Sequence, residues 1–449
     1  MPQGSSGGRQ AHDAAQRHLK ACHLRAKRAR QGWRPWMLFG IASLFYFYEF
    51  FARVAPGVLH EELIKSSAAS EGAFGLAMSL YFLAYAPAQL LVGRLLDRYG
   101  VRAVAAPASL LVAVGCLLFA TTNNIALMGL GRFLQGLGSS VAYLGVIYLS
   151  LIWLPVQRHG MVPGMVTAIG TMGAATAQFP LLMISDRFGW RMPLLLCTVA
   201  GVIIGGLIWR FLPRRPSWFI ELMKEDGFDP QSPEPMGFQL NRLLHNRNLW
   251  ILSLAAAGIY LPVSVIGDLW GVSFFNIEAG VPDAQASLIT TLVFFGFAVG
   301  GVVLGHWSDR LGRRKILFTT GAIIAACLSM LLCFTSQLPL IVVVVLVAAL
   351  GLTAGTQVLS FVMVADTAKR HTRAITLAFV NFVVMFLPVI VQPTVGLFSQ
   401  WGLPKGSIPS SMDELRGYGV VVVGMIVAAG LSLLVKDTKP REEGGLITH

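Results

Sequence analysis

Residues 93–102 read Gly-Arg-Leu-Leu-Asp-Arg-Tyr-Gly-Val-Arg, and residues 305–314 read Gly-His-Trp-Ser-Asp-Arg-Leu-Gly-Arg-Arg. Gly93 and Gly305, Asp97 and Asp309, Arg98 and Arg310, Gly100 and Gly312, and Arg102 and Arg314 fall in step at one constant offset. Each copy follows a long apolar run and precedes another. A charged hinge repeated between hydrophobic helices marks a duplicated membrane bundle. That architecture serves transporters in which one half rocks against the other.

Composition points the same way. The chain is 55% hydrophobic and 13% charged, with a mean hydropathy of +0.65, far from soluble averages. About 20 apolar residues are needed to cross a hydrocarbon core. Twelve such runs occur, near 37–59, 72–95, 103–121, 125–154, 161–184, 191–211, 249–274, 286–307, 316–335, 338–365, 374–398 and 417–435. They do not alternate as barrel strands would. The expected fold is therefore an all-α integral membrane protein of twelve transmembrane helices, arranged as two six-helix bundles related by pseudo-two-fold symmetry.

A net charge of +13 raises nucleic-acid binding, but its distribution argues for a membrane. Five of the 35 Lys and Arg residues (Lys65, Arg187, Arg191, Lys405 and Arg416) fall in loops on one side, and Arg53 and Arg132 lie inside spans. The rest gather on the other side. By the positive-inside rule, that side and both termini are cytoplasmic. The basic tail, from Arg9 to Arg34, suits anionic lipid headgroups. The expected segments are a tail over 1–36, a first bundle over 37–211, a linker over 212–247, a second bundle over 248–436 and a tail over 437–449. In the linker, Trp218, Phe219, Leu222 and Met223 at helical spacing predict an interfacial helix over 214–226. A second short helix is expected over 238–249.

The remaining signals are negative. The first apolar run is too long for a signal-peptide core and is retained as the first span. Cys116, Cys197, Cys327 and Cys333 lie in spans and Cys22 in the inner tail, so neither a disulfide nor a metal site is expected. No nucleophile–base set appears, which argues against an enzyme, and no cofactor is implied. The plain location is a bacterial inner membrane.

Other fragments join the hinges in one order. Arg132-Phe-Leu-Gln-Gly136-Leu-Gly138 lies in span four, Gly189-Trp190-Arg191 opens span six, and Trp153-Leu-Pro155-Val-Gln-Arg158 closes span four. Asp366, with Lys369, Arg370 and Arg373, closes span ten. Together they resemble the major facilitator superfamily over about residues 35–440. The resemblance implies that Gly93, Asp97, Arg98, Gly100, Arg102, Gly305, Asp309, Arg310, Gly312, Arg314, Asp366 and Arg373 form a gating motif, which locks the outward-facing state. It also implies a monomer. Val101 stands where a basic residue is usual, which would weaken the first lock. On the residues alone, Gly93 and Gly305 suit close helix approach and Gly100 and Gly312 tight turns.

Substrate contacts are expected where spans one, four, seven and ten meet. Ionisable groups within spans cost about 2.5–3.5 kcal/mol each. Tyr46, Glu49 and Arg53 share a face of span one, and Arg132, Ser139 and Tyr143 share one of span four. Tyr260, Ser264 and Asp268 descend span seven, while Gln357 and Asn381 lie in spans ten and eleven. Two guanidiniums beside one carboxylate suit an anionic or zwitterionic solute. Glu49 is the leading proton carrier, with Asp268 as a second or as a residue at the water-filled mouth. Glu49 and Arg53 could instead neutralise each other, and Arg132 could bond backbone carbonyls.

The expected function is thus proton-coupled import of a small organic solute by alternating access. Span five, Gly164 to Pro180, lacks the Gly-Pro step of drug antiporters in the superfamily. Tyr48-Glu49-Phe-Phe-Ala-Arg53-Val-Ala-Pro56 is similar to the first span of nutrient importers from intracellular proteobacteria, several of which carry amino acids or nucleosides. The alternatives are an exporter of a metabolite, drug or siderophore, and a non-transporting membrane sensor.

Overall fold

A computed structural model describes residues 31–155, 162–214, 216–225, 241–367, 373–403 and 410–437. Among them there is no strand, and eleven helices are long and apolar enough to cross a membrane. The amino-terminal set comprises α1 (Arg34–Val58), α2 (His60–Ser67), α3 (Glu71–Thr121), α4 (Ile125–Trp153), α5 (Val162–Phe188) and α6 (Arg191–Phe211). A short α7 (Ser217–Glu225) follows. The carboxyl-terminal set begins with α8 (Arg247–Ile259), a π-helix (Pro262–Trp270) and α9 (Gly271–Ala279), which run on as one rod. It continues through α10 (Asp283–Leu311), α11 (Arg314–Leu331), α12 (Leu340–Ala354), α13 (Leu359–Thr367), α14 (Arg373–Ser399) and α15 (Ser411–Leu434).

Polar caps fix where several of these rods start. Ser70 accepts from the Ala73 amide at the head of α3, and Asn124 from Ala126 and Leu127 at the head of α4. Ser410 and Asp413 form a reciprocal box on α15. Each cap satisfies amides that the helix itself leaves unbonded.

The 51-residue α3 is two helices joined at Gly100, whose φ of 78° and ψ of 163° are open essentially to glycine alone. The second hinge differs. There α10 ends in a left-handed Gly312 and α11 starts afresh at Arg314. Both glycines expected in turns are in turns. Gly93 and Gly305 are not at close approaches: a methyl group added to either would meet nothing within 4 Å. The close approaches lie elsewhere, as at Gly136, where a β-carbon would fall 2.0 Å from the Tyr81 carbonyl oxygen. That glycine lets α4 press its Arg132 face onto α3.

The two sets meet along α3 against α14 and α5 against α10, with α1 packed on the π-helix. Gln89 on α3 and Asn381 on α14 hydrogen-bond across this seam. The seam is shut at the end carrying α2, where the Gly57 backbone lies against Asp268 and Leu269, and Gly396 against Glu71.

The linker helix differs in position from the interfacial one expected. Trp218 is buried and packs edge-on against Trp153, and Phe219 against Tyr148. Its apolar face is therefore spent on the protein as well as on any lipid. The side chains of Leu222 and Met223 lie outside the described residues, as do residues 226–240, most of both tails, Arg158, Lys369 and Arg370.

Candidate functional site: a buried charge cluster between the helix sets

Four ionisable side chains meet at the seam, each at most 3% exposed: Glu49, Arg53, Arg132 and Asp268. Burying so much charge requires partners, and the partners differ from those the sequence implied.

Arg53 does not bond Glu49. Its Nε and Nη2 donate to Asp268 Oδ2 at 3.0 and 2.5 Å, and Nη2 also reaches the Tyr260 hydroxyl at 3.3 Å. Among the described residues, the only carboxylate bonded to this arginine therefore comes from the other helix set. Asp268 sits in the π-helix rather than at a wet mouth. Phe50 and Phe82 place their rings 4.8 and 4.9 Å from the guanidinium carbon, screening the pair from water.

Glu49 instead accepts from the Tyr81 hydroxyl at 2.7 Å through Oε2, and its Oε1 has no partner. Arg132 lies over the same tyrosine ring, 4.7 Å from its centroid. Its Nη1 donates to Gln135 Oε1 at 2.8 Å, while Nε is unbonded. Among the described residues neither a backbone carbonyl nor a carboxylate bonds Arg132. Tyr81 thus lies between the Arg132 guanidinium and the Glu49 carboxylate. Ser139, one turn beyond Gln135, is buried beside Glu49 and Tyr81, and Asp268 Oδ1 has no partner among the described residues.

The π-helix explains how Asp268 is aimed. A widened turn frees backbone carbonyls, and two glutamines take them up. Gln178 on α5 donates to the Gly267 carbonyl at 3.3 Å, and Gln392 on α14 to the Ser264 carbonyl at 2.8 Å.

The other expected site residues divide. Tyr46 and Tyr143 face each other with centroids 5.6 Å apart, beside the cluster. The Ser264 hydroxyl is turned to the Tyr260 carbonyl, so this residue serves the π-helix. Gln357 is buried in the 3₁₀ turn Gly355–Val358. Asn381 is engaged with Gln89.

At the hinges, Arg314 donates to Asp366 Oδ2 at 2.5 Å. Arg102 stacks on Trp209 at 4.6 Å with its Nε unbonded, and Arg98 on Tyr99 at 5.3 Å. Asp97 is half-buried and has a bonding partner, and Arg310 is exposed. The side chains of Asp309 and Arg373 lie outside the described residues. Among the described residues no group of three His, Cys, Asp or Glu is placed to hold a metal.

Tyr81 and Gln135 escaped the sequence reading. Gln135 had a legible signal, three residues after Arg132 and so on its face. Tyr81 lies on a span that no residue pattern places at the centre.

Among the described residues, the arrangement leaves several polar atoms without hydrogen-bond partners in a dry interior. Arg132 Nε offers a donor to an anion, and Glu49 Oε1 and Asp268 Oδ1 offer acceptors to a cation or a proton.

Comparison with known proteins fits this picture. A gentisate transporter of Corynebacterium glutamicum is 25% identical over 378 residues, 82% of each chain. A probable sulfoacetate transporter of Cupriavidus necator is 22% identical over 291 residues, 62% of this chain. That match, like one to an uncharacterized transporter of Bacillus subtilis, spans 66% of the relative's length. A membrane sensor protein of Escherichia coli is 22% identical over 65% of this chain. A bacterial homologue of the human lysosomal transporter Spinster, solved inward-facing and unoccupied, shares the fold, with a TM-score of 0.72 at 13% identity over 90% of this chain and 97% of its own. The model of the Major Facilitator Superfamily matches residues 37–282 and 252–446, and the chain is a multi-pass membrane protein belonging to that family of transporters.

Proposed function

We propose that this protein imports a small anionic or zwitterionic organic solute together with a proton, by alternating access between two six-helix halves over 37–211 and 248–436. The reading takes the break at Gly100 as the boundary between two spans, making twelve, and puts both termini in the cytoplasm of a bacterial inner membrane. One observation carries it. Arg132 is a buried guanidinium bonded to a neutral amide alone, one tyrosine away from a glutamate with a free oxygen. A buried cation without a counter-ion is costly, and a substrate carboxylate would supply one. A zwitterion would add an ammonium at Glu49 Oε1 or Asp268 Oδ1. Gentisate and sulfoacetate, named for two relatives, are small organic anions.

The expected sequence revises the one implied by span one alone. Arg53 is held by Asp268, so it is the latch between the halves and Arg132 is the anchor for the anion. Solute settling on Arg132 disturbs Tyr81, loosens its bond to Glu49, and lets Glu49 accept a proton. The Arg53–Asp268 pair then breaks as the halves rock. With a zwitterion one net charge moves down 100 mV and supplies about 2.3 kcal/mol, enough for about a fifty-fold solute gradient. A monovalent anion instead travels with its proton electroneutrally and is driven by the pH gradient.

The test uses purified protein in liposomes loaded with a pH-sensitive dye, challenged with pools of amino acids, short peptides, carboxylates, sugar phosphates and nucleosides. Acidification by one pool, absent from Glu49→Gln, supports the reading. Flux that persists with its proton coupling in Glu49→Gln overturns the role of Glu49. Outward flux from loaded vesicles alone would indicate an exporter. Saturable binding without flux would favour a sensor, the activity named for the Escherichia coli relative.

A further inference from the structure

A second titratable cluster lies at the shut end of the seam, apart from the Glu49 centre. His60, at the head of α2, is 9% exposed, and its Nε2 lies 2.8 Å from Glu71 Oε2 at the head of α3. Both belong to the amino-terminal set. The opposite wall comes from the other set. The Trp270 ring lies 5.4 Å from the imidazole, and Gln400 accepts from the Glu71 amide at 3.0 Å. Glu414, 3% exposed at the head of α15, accepts from Ser273 at 3.3 Å and acts on the imidazole through its charge rather than by a bond. Behind it Glu278 is 2% exposed, with the Ser411 hydroxyl as its neighbour.

The surroundings are strongly acidic. Glu61, Glu62 and Lys65 face His60 or its neighbours from α2, with Lys65 bound to Glu61. Asp283 faces it from α10, and Asp186 lies beside Glu62 and Asp283 from α5. Carboxylates therefore outnumber cations around one imidazole, and none of the aromatic neighbours offers it a counter-charge.

We propose that His60, bonded to Glu71 and packed against Trp270 with Glu414 as the nearby carboxylate of the other helix set, is a proton-binding site distinct from the central one, and that the proton it holds keeps this end of the seam shut. A charged imidazole answers Glu71 on its own side and Glu414 on the other. A neutral one leaves two buried carboxylates facing each other. Opening this end would return all three groups to water and dissolve the arrangement.

The sign follows from the geometry. Burial disfavours the charged imidazole, but Glu71 and then Glu414 more than offset it, so His60 titrates above its ordinary value in the shut state. In the opened state it should return towards about 6.5. The shut state is thus favoured in full below that ordinary value, and the preference is lost as pH rises through the raised one.

The experiment reads opening directly. Spin labels on Ser67→Cys and Met412→Cys, in full-length protein with its five native cysteines replaced by serine, report the separation across this end in liposomes. Between about pH 5 and about pH 9, bracketing the histidine range, the shut population should fall steeply as pH rises. His60→Gln should flatten the curve. Glu71→Gln, which keeps the imidazole but removes its nearest anion, should move the midpoint down by about one unit. Glu49→Gln shifts the overall open–shut balance if the central site works as proposed, but the pH step that His60→Gln removes should persist in that background, so the two proton sites are read separately. A flat wild-type curve, or a His60→Gln curve identical to wild type, overturns the proposal. So does a response abolished only by Glu414→Gln or Glu278→Gln, which would place the proton on the carboxylates.

Discussion

The amino-terminal helix set carries three of the four buried charges at the centre, Glu49, Arg53 and Arg132, and the carboxyl-terminal set carries only Asp268. The two hinge copies differ as well. The first continues through Gly100 with its arginines stacked on rings, whereas the second stops at Gly312 and ties Arg314 to Asp366. Duplication has therefore preserved the rods and not the chemistry. The amino-terminal set concentrates the charge, and the other contributes the carboxylate that pairs with Arg53 across the seam.

That division predicts an order of effects. Asp268→Asn should be the most damaging change, because it strands Arg53 without a counter-charge in a dry site, a cost of about 3–5 kcal/mol. Transport in liposomes should fall by about a hundredfold or more. Arg53→Lys should rescue little, since one ammonium cannot replace both the Nε and Nη2 bonds. Full activity in Asp268→Asn would break the asymmetry outright.

Arg132→Gln should come next. It removes an anion's charged donor while leaving the latch intact, so KM should rise about tenfold to a hundredfold, in line with about 1.5–3 kcal/mol for a charge-assisted bond. Thermal stability should hold or improve, because an unneutralised buried cation has gone. A fall in stability with KM unchanged would make Arg132 structural.

The hinges allow a finer comparison. Gly100→Ala forces a methyl into a backbone region closed to other residues, at about 1–3 kcal/mol. Gly312→Ala occupies the milder left-handed region, at about 1 kcal/mol. Thermal unfolding should rank them in that order, and the reverse ranking would mean that the first hinge relaxes. The smallest effects belong to Gly93→Ala and Gly305→Ala. With open space at both positions, each should stay within about 0.5 kcal/mol of wild type.

Much of the fold was legible because hydrocarbon is a simple solvent. A rod that satisfies its own backbone and shows apolar faces is the only kind of segment that spans it here, so runs of apolar residues announce helices directly. The repeated glycines and charges then revealed the duplication. The charged residues of the centre were legible for the same reason: Glu49, Arg53, Arg132 and Asp268 stand out where charge is expensive. Their partners were not. Spacing places Glu49 and Arg53 on one face and invites the pairing of nearest neighbours. Yet Arg53 turns to a carboxylate 215 positions away, because a residue on the facing helix lies closer in space than one on the next turn.

The sequence by itself determined the membrane class, the all-helical architecture, the repeated hinge motif, the two turn glycines and the buried charges, since each follows from local composition or from one fixed period. Tertiary structure alone decided which charge meets which, that Tyr81 lies between Arg132 and Glu49, that Gly136 rather than Gly93 is the close contact, and that His60 lies near carboxylates of opposite helix sets. Those outcomes depend on how far and at what angle separate rods approach, and no periodicity along one chain encodes that distance.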